Sequence, residues 1–393
     1  MPPRGRKRYS PRTRVGLSLA GWLFLGISIF VGAAAGKSQA ALVFILFGGM
    51  LGALFVSALL AWRMVGAVRV WREMPERAWQ NQTLHFSYVL RNVRRRGSCL
   101  ALHINELAPG GVQSVSGFCV EVPPLASFRA GARFAARRRG RIRLEALRVH
   151  TGFPFGLVWA RRVVSIPASL VVWPAIGRLK RQLLYRGAVE TSAATPSGVS
   201  GGQDEFFGLR EYRPGDNPRW IHWRRSAARS TPVLREMAQP LPEILWVLVD
   251  TRLGDGTPAA HDRRESILRF AATLIDHAMV RGFRVGMAAA YRDRIAVLPP
   301  DEGRGQRRCL LDALADVDDN PTRGLAETIH HLGRGTLSRA QVILAAAEDE
   351  AVRAAPLHLL RTACRHLTVI TGSSLHSVFD DNSLAQPEDA GAA

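Results

Sequence analysis

Acidic residues are scarce in this chain: 32 Asp and Glu stand against 53 Lys and Arg in 393 residues, a formal net charge of +21. So basic a balance points to an acidic neighbour, whether anionic lipid, nucleic acid or an acidic protein face. Cysteine is scarce as well. Cys99, Cys119, Cys309 and Cys364 are scattered, and no pair has the spacing of a zinc knuckle or redox motif. They predict reduced, mostly buried thiols of a cytosolic protein. No phosphate-cradling glycine loop of the Walker type is present, which removes that route to nucleotide hydrolysis.

Charge is missing altogether from two stretches, Val15 to Ala35 and Ala40 to Trp62. As helices at ~1.5 Å per residue each would span about 30 Å, the thickness of a bilayer's hydrocarbon core. Gly36, Lys37, Ser38 and Gln39 between them suffice only for a tight turn, so the pattern predicts an antiparallel hairpin. A cleaved signal peptide would have a shorter apolar core and no second full span. Gly48, Gly49, Gly52 and Ala53 offer small residues for helix contact. Arg4, Arg6, Lys7, Arg8, Arg12 and Arg14 precede the hairpin, and Arg63, Arg69, Arg72 and Arg77 follow it. By the positive-inside bias both termini are expected in the cytosol of a bacterial inner-membrane protein.

From Leu84 the period changes to two, with Phe86, Tyr88 and Leu90 alternating with His85 and Ser87. Short apolar runs near Leu100–Ile104, Val112–Val122, Phe134, Ile142–Val149 and Leu170–Trp173 are separated by Gly, Pro and Ser clusters. They predict a small antiparallel β-sandwich. The arginine runs Arg94–Arg96 and Arg137–Arg143 carry no interleaved aromatics for base stacking. Anionic lipid or plain solvation therefore fits them better than nucleic acid, each basic residue near such lipid gaining about 1 kcal/mol.

Beyond a Thr/Ser/Gly-rich stretch, Thr191 to Gly202, Ile244 to Val249 form a continuous apolar run ending in Asp250, the mark of a buried parallel strand. Asp262 and Glu265 have capping-box spacing before a helix faced by Ile267, Phe270, Leu274 and Ala278, ended by Gly282. Strands near Arg284–Ala290, Arg294–Leu298, Gln341–Ala346 and His366–Thr371 alternate with helices near Leu310–Val317, Leu325–Leu332 and Pro356–Cys364. That alternation predicts a doubly wound α/β domain with a parallel sheet. The expected order is a basic N-terminus (1–14), the transmembrane hairpin (15–62, spans 15–35 and 40–62) and a β-rich domain (80–175). A connector (176–238), the α/β domain (240–372) and a flexible tail (373–393) follow.

The most specific passage runs from Glu205 through Arg210, Glu211, Tyr212, Arg213, Pro214, Gly215 and Asp216 to Arg219, Trp220, His222 and Trp223. Arg-Pro-Gly-Asp is turn chemistry, with Pro214 presetting φ and Gly215 free to take a positive φ. The surrounding Arg and carboxylate side chains suit either an interdomain brace or a docking face for a partner. Together with Arg139-Gly140-Arg141, Thr151-Gly152-Phe153-Pro154-Phe155-Gly156-Leu157 and Val172-Trp173-Pro174, this passage resembles the signature of a bacterial family known as a domain of unknown function, number fifty-eight. One departure is Ser226-Ala227-Ala228-Arg229, where the family has Ser-Ala-Arg.

The resemblance implies a von Willebrand factor A-like α/β domain. It also implies two partners, a MoxR-type AAA+ ATPase and a membrane transglutaminase-like protein, working in envelope assembly or protein maturation. Domains of that type often hold Mg²⁺ through Asp-x-Ser-x-Ser after the first strand. Here Asp250 is followed by Arg252 and Gly254 at the serine positions, which opposes a cation, with Thr322 and Asp349 as possible residual ligands. No cofactor and no catalytic residues are expected. Cys309, His330 and His331 do not align as a nucleophile and base, and the signature cluster offers no nucleophile. The expectation is a non-enzymatic membrane-anchored adaptor. The alternative is a metal-dependent binder or hydrolase using Asp250.

Overall fold

The computed structural model describes residues 12–37, 40–107, 116–181, 183–184, 200–212, 218, 221–229, 231–238, 243–254, 256–291, 294–317, 321–333, 335–338 and 340–381. The chain divides into two compact units, Met1–Ile176 with Leu311–Val317, and Gly177–Leu310 with Asp318–Ala393.

The first unit opens with a short strand, β1 (Arg14–Leu17), then helices α1 (Leu19–Lys37) and α2 (Ala41–Ala67). Both helices are long and apolar enough to cross a membrane. A soluble core helix covers its apolar stripe, whereas Leu19, Leu23, Phe30, Leu42, Ile45 and Phe55 stand exposed. The hydroxyls of Ser28 and Ser57, both buried, donate back to Phe24 O and Ala53 O within their own helices. The close approach of the helices falls at Gly32, where a Cβ would strike the Phe47 ring, and not at Gly48, Gly49 or Gly52, which face open space.

The expected first span starts four residues too early. Val15 to Leu17 pair with Ala160 to Val158 in a sheet, because an apolar run does not by itself distinguish strand from helix. The second helix outruns its expected end at Trp62 and stops at Ala67.

Strands β2 (Val68–Glu73), β3 (Arg77–Trp79), β4 (Thr83–Asn92), β5 (Cys99–Leu107), β6 (Ser116–Val122), β7 (Ser127–Ala135), β8 (Gly140–Thr151) and β9 (Val158–Trp173) follow. The β-rich region thus begins at Val68, ahead of the expected Gln80. One sheet runs β1-β9-β8-β5-β6 with β3 also on β9, and the other runs β2-β4-β7. Every pair is antiparallel except β3–β9. Phe86, Tyr88 and Leu90 of β4 share one buried core with Leu102, Ile104, Leu144, Leu147 and Leu170 of the larger sheet. The alternation read from residues 84–90 holds: Leu84, Phe86, Tyr88 and Leu90 are buried and His85 is exposed.

Strand β9 is far longer than its apolar end predicts, since Arg161, Arg162 and Pro167 interrupt the signal. Pro167 is tolerated because β1 and β3 cover only the two ends of that edge, and the β8 register slips between Leu144 and Ala146 opposite it. Two thiols behave as expected: Cys99 and Cys119 are buried and free, and burial pushes the Cys99 thiol up to about 11. Cys309 is exposed instead.

A buried ion pair lies within the first unit. Arg72 Nε and Nη2 donate to the two carboxylate oxygens of Glu106 at 2.6 and 2.7 Å, with both side chains 1% exposed. Tyr88 Oη donates to Glu106 at 2.9 Å, and Arg72 Nη1 donates to Ile166 O at 2.7 Å. Burial, then the Glu106 charge, hold the Tyr88 phenol well above its ordinary range.

The second unit contains β10 (Arg178–Leu179), β11 (Ser200–Glu211), α3 (Trp223–Arg229), β12 (Val233–Ala238), β13 (Ile244–Asp250), α4 (Pro258–Val280), β14 (Arg284–Ala290) and β15 (Ile295–Asp301). Helix α5 (Gly303–Ala315), whose last residues are counted with the first unit, precedes α6 (Leu325–Leu332), β16 (Gln341–Ala346), α7 (Asp349–Arg353), α8 (Leu357–Ala363), β17 (His366–Thr371) and β18 (Phe379–Asp380). The main sheet runs β15-β14-β13-β16-β17. It is mixed, where an all-parallel sheet was expected: β14 and β15 are antiparallel because only residues 291–294 join them, too few for a crossover. Trp246 and Leu248 pack with α6 residues Leu325, Ile329 and Leu332. Leu245, Val247 and Val249, buried just as fully, are left for the opposite face, where α4 covers the sheet.

Helix α4 starts a turn before the expected capping box. Thr257 is the N-cap, its hydroxyl accepting from Ala260 N at 3.3 Å with Pro258 at the first helical position. The expected tail is ordered to Asp381: β18 pairs with β10, Phe379 is buried against Phe270, and Arg269 holds Asp381 at 2.9 Å.

Removing one partner of a buried pair strands the other charge. Glu106→Ala is expected to lower stability by ~3–5 kcal/mol. Arg129→Ala, which breaks an exposed 3.4 Å pair with Glu73, should change it by less than ~1 kcal/mol. Thermal unfolding of the detergent-solubilised protein compares the two.

Candidate functional site

The signature passage lies on an antiparallel hairpin. Backbone pairing sets Glu211 opposite Val233 and Arg210 opposite Leu234, and Tyr212 N donates to Pro232 O at 2.9 Å. Between the strands the chain returns as Ile221, bridged to Leu234, and His222, whose N–H donates to Val233 O at 2.7 Å. Ser226 closes the arrangement. Its hydroxyl accepts from Val233 N at 2.8 Å and donates to His222 O at 3.1 Å, so the first turn of α3 is tied to β12. His222 Nδ1 accepts from Arg225 N at 3.4 Å.

These bonds brace the hairpin through its backbone. Trp223, 70% exposed, projects away from them. Gly215, Asp216 and Arg219 lie outside the described residues, as does the Arg210 side chain; of the expected cluster the structure describes Glu211, Tyr212, His222 and Trp223, on the hairpin and at the start of α3.

Asp250 ends the central strand of the α/β sheet and is 2% exposed. One carboxylate oxygen accepts from Arg252 N at 3.0 Å, and the other has no hydrogen-bond partner, nor has the buried Thr251 hydroxyl. Burial pushes the Asp250 carboxyl up, against the opposing pull of the Arg252 N–H and charge. The residues do not fit a divalent ion. The Arg252 guanidinium lies against Gly324 at the start of α6, where a Cβ would meet it at 2.8 Å, and Gly254 brings no oxygen. Asp349 is committed elsewhere, bonded by Ser373 at 2.9 Å and held below the usual carboxylate range by Thr371 and Ser373. Thr322 is exposed. Among the described residues no three His, Cys, Asp or Glu side chains converge. His330 and His331 are both exposed on α6.

The upstream motif residues have a use that sequence reading missed. Trp173 Nε1 donates to Asp312 Oδ1 at 2.7 Å, and Arg77 donates to both Asp312 oxygens at 2.9 to 3.3 Å. Arg141 pairs with Asp316 at 2.7 Å, and Arg139 Nη2 donates to Val317 O at 2.9 Å. Gly140, at φ +115°, sits between the two arginines in a conformation that a side chain would strain. Asp312 and Asp316, at i and i+4, share one helix face, which is the signal that could have paired them with the arginines. In the cleft of about 620 Å³ beside this network, Glu73, Glu76, Arg77, Arg141 and Asp312 are all ion-paired.

Two outcomes follow. Although burial opposes it, the Arg77 and Trp173 hydrogen bonds hold Asp312 below its ordinary value. Its contribution to stability is therefore full above about pH 4 and lost as pH falls through the lowered folded value. Asp312→Asn should flatten the acid limb of a thermal-stability profile. Ser226→Ala should speed amide exchange at Val233 by roughly tenfold for each ~1.4 kcal/mol of the lost hydrogen bond, with amides of β13 unchanged.

The family model described as "Protein of unknown function DUF58" matches residues 208–371. An uncharacterised protein, YeaD, of Bacillus subtilis (strain 168) is 24% identical over 237 residues, 59% of this chain and 56% of the relative. The match thus spans little more than half the relative's length. Among solved structures, the CARDB domain of a Pyrococcus furiosus protein is 12% identical over 27% of this chain and 94% of its own, at a TM-score of 0.18. A Listeria innocua β-glucosidase is 10% identical over 26% of this chain and 16% of its own, also at 0.18. Overlaps that weak carry no argument about fold or activity. Residues 208–371, which contain most of the signature hairpin and the α/β sheet, are thus the part of this chain that is similar to the DUF58 family, with the Bacillus relative beside them.

Proposed function

We propose that the protein is a non-enzymatic adaptor anchored in the bacterial inner membrane by α1 and α2, with both termini and both folded units on the cytosolic side. The observation that carries this reading is the pair of exposed apolar helices joined without a linker to the first sheet through β1 and Ser18. Their uncovered side chains are stable only in lipid. The arginines flanking the hairpin support the orientation.

A von Willebrand factor A-like character for the second unit is supported by its strand order, with the first strand central, the second and third on one side and the last two on the other. In such sheets ligands dock at the carboxyl ends of the strands, where the winding reverses. Here that edge carries Asp250 between β13 and β16. A partner protein would dock there or on the hairpin around Glu211, Tyr212, His222 and Trp223. Family resemblance alone supplies the partners: a MoxR-type AAA+ ATPase, and a membrane transglutaminase-like protein, in envelope assembly or maturation.

Affinity purification of the full chain from membranes under nucleotide-trapping conditions tests the adaptor reading. The ATPase should be retained by the wild type, and Trp223→Ala should retain less. Absence of the ATPase under trapping overturns the reading.

A further inference from the structure

The Thr151–Leu157 loop carries part of the upstream resemblance, yet none of the contacts described above involves it. It is built as a rigid turn. Thr151 Oγ1 donates to Leu100 O at 3.0 Å and accepts from Phe153 N at 3.2 Å, and Gly156 N closes onto Gly152 O at 2.8 Å. Phe153 packs on the buried core, whereas Phe155, two residues on, is 62% exposed. A rigid loop that turns one phenylalanine inward and the next outward presents the second to something.

What lies beside it is the entrance of α1. Ser18 N donates to Leu157 O at 2.9 Å, and the Ser18 hydroxyl reaches Gly156 O at 2.6 Å while accepting from Gly21 N at 2.9 Å, so it caps the helix and grips the loop at once. The fit is tight enough that a Cβ on Gly21 would meet Leu157 O at 2.0 Å. The loop is therefore held level with the first turn of α1, and the exposed indole of Trp22 marks that level as an interfacial one. Chemistry next to the loop points the same way. Trp159 donates its indole N–H to Leu17 O at 3.0 Å and carries the Arg161 guanidinium 4.5 Å from its ring centroid. Arg14 stands directly opposite Arg161 in the sheet. Like charges so placed repel, and among the described residues no carboxylate pairs with either. At ~3.3 Å per residue Arg14 is at most about 13 Å from the Ser18 cap of α1, within reach of a headgroup layer.

We infer that the Thr151–Leu157 loop is a membrane-docking element, with Phe155 set among the acyl-chain boundary and the Arg14–Arg161 pair neutralised by anionic lipid headgroups. The inference rests on the anchor reading above and adds to it: the first unit lies against the bilayer in one orientation, held at a second point besides its helices. The exposed apolar ring supplies burial, and the arginine pair supplies the preference for anionic lipid.

The test uses the full chain with its native cysteines replaced, carrying a single labelled cysteine at Phe155→Cys, Phe30→Cys or Val120→Cys, in nanodiscs containing phosphatidylglycerol. Phe30, on α1, reports the anchor; Val120, exposed on β6, reports water. The Phe155 probe should be quenched by lipids spin-labelled near the headgroup and be several-fold less accessible to iodide than the Val120 probe. Its accessibility should rise when phosphatidylcholine replaces phosphatidylglycerol. A Phe155 probe as accessible as the Val120 probe, with the Phe30 probe still lipid-quenched, overturns the docking loop and leaves the anchor intact. A Phe30 probe in water overturns both. Unchanged accessibility in the neutral lipid overturns the role of the arginine pair.

Discussion

A polypeptide leaving an apolar helix needs partners for its first amides, and the solution adopted here shapes the first unit. Strand β1 gives its backbone to β9, and Ser18 caps α1 while bonding the Gly156–Leu157 carbonyls. No flexible linker separates helix from sheet at this end. At the other, α2 runs past Trp62 to Ala67 and passes straight into β2. Ala61 and Val65, near that end of α2, pack on Ala160 of β9, so both helices are fastened to the same strand. The orientation of the apolar hairpin is thereby transmitted to the sheet.

Arginine serves three physical roles in the same unit. Arg72, fully buried, is compensated by Glu106, which also satisfies Tyr88; such a cluster gains little net energy but penalises any arrangement that leaves a member unpaired. Arg77, Arg139 and Arg141 bind the 311–317 segment through two carboxylates and a carbonyl, at partial exposure where the pairing energy is modest and the geometry selective. Arg14 and Arg161 pair with no carboxylate among the described residues. The formal charge of +21 conceals these differences.

The period-two pattern from Leu84, the uncharged stretches and the apolar run into Asp250 were legible because each stretch's environment repeats along the chain with a fixed period. Elsewhere the local signal misled. Val15 to Leu17 read as helix, although their backbone partners lie over 140 residues away. The capping box at Asp262 and Glu265 is sound local chemistry, but Thr257-Pro258 is a better start and captured the helix first. At Asp250 the sequence shows Arg252 and Gly254 where serine oxygens would be needed for a cation. That the Asp250 carboxylate is buried with one oxygen unpartnered was not readable there, since burial is conferred by α6 and β16.

Sequence by itself determined the elements whose cause is local: two helices long and apolar enough to cross a membrane, amphipathic strands, an α/β alternation, and a motif carrying the family resemblance. Only the tertiary structure decided what distant residues make of one another. Trp173 and Arg77 meet Asp312 across more than a hundred residues, and the Phe155 loop meets Ser18 across a similar distance. Hydrogen bonds and ion pairs act over about 3 Å, so which donor finds which acceptor depends on how the sheets bring the chain back, and no periodicity in the sequence encodes that return.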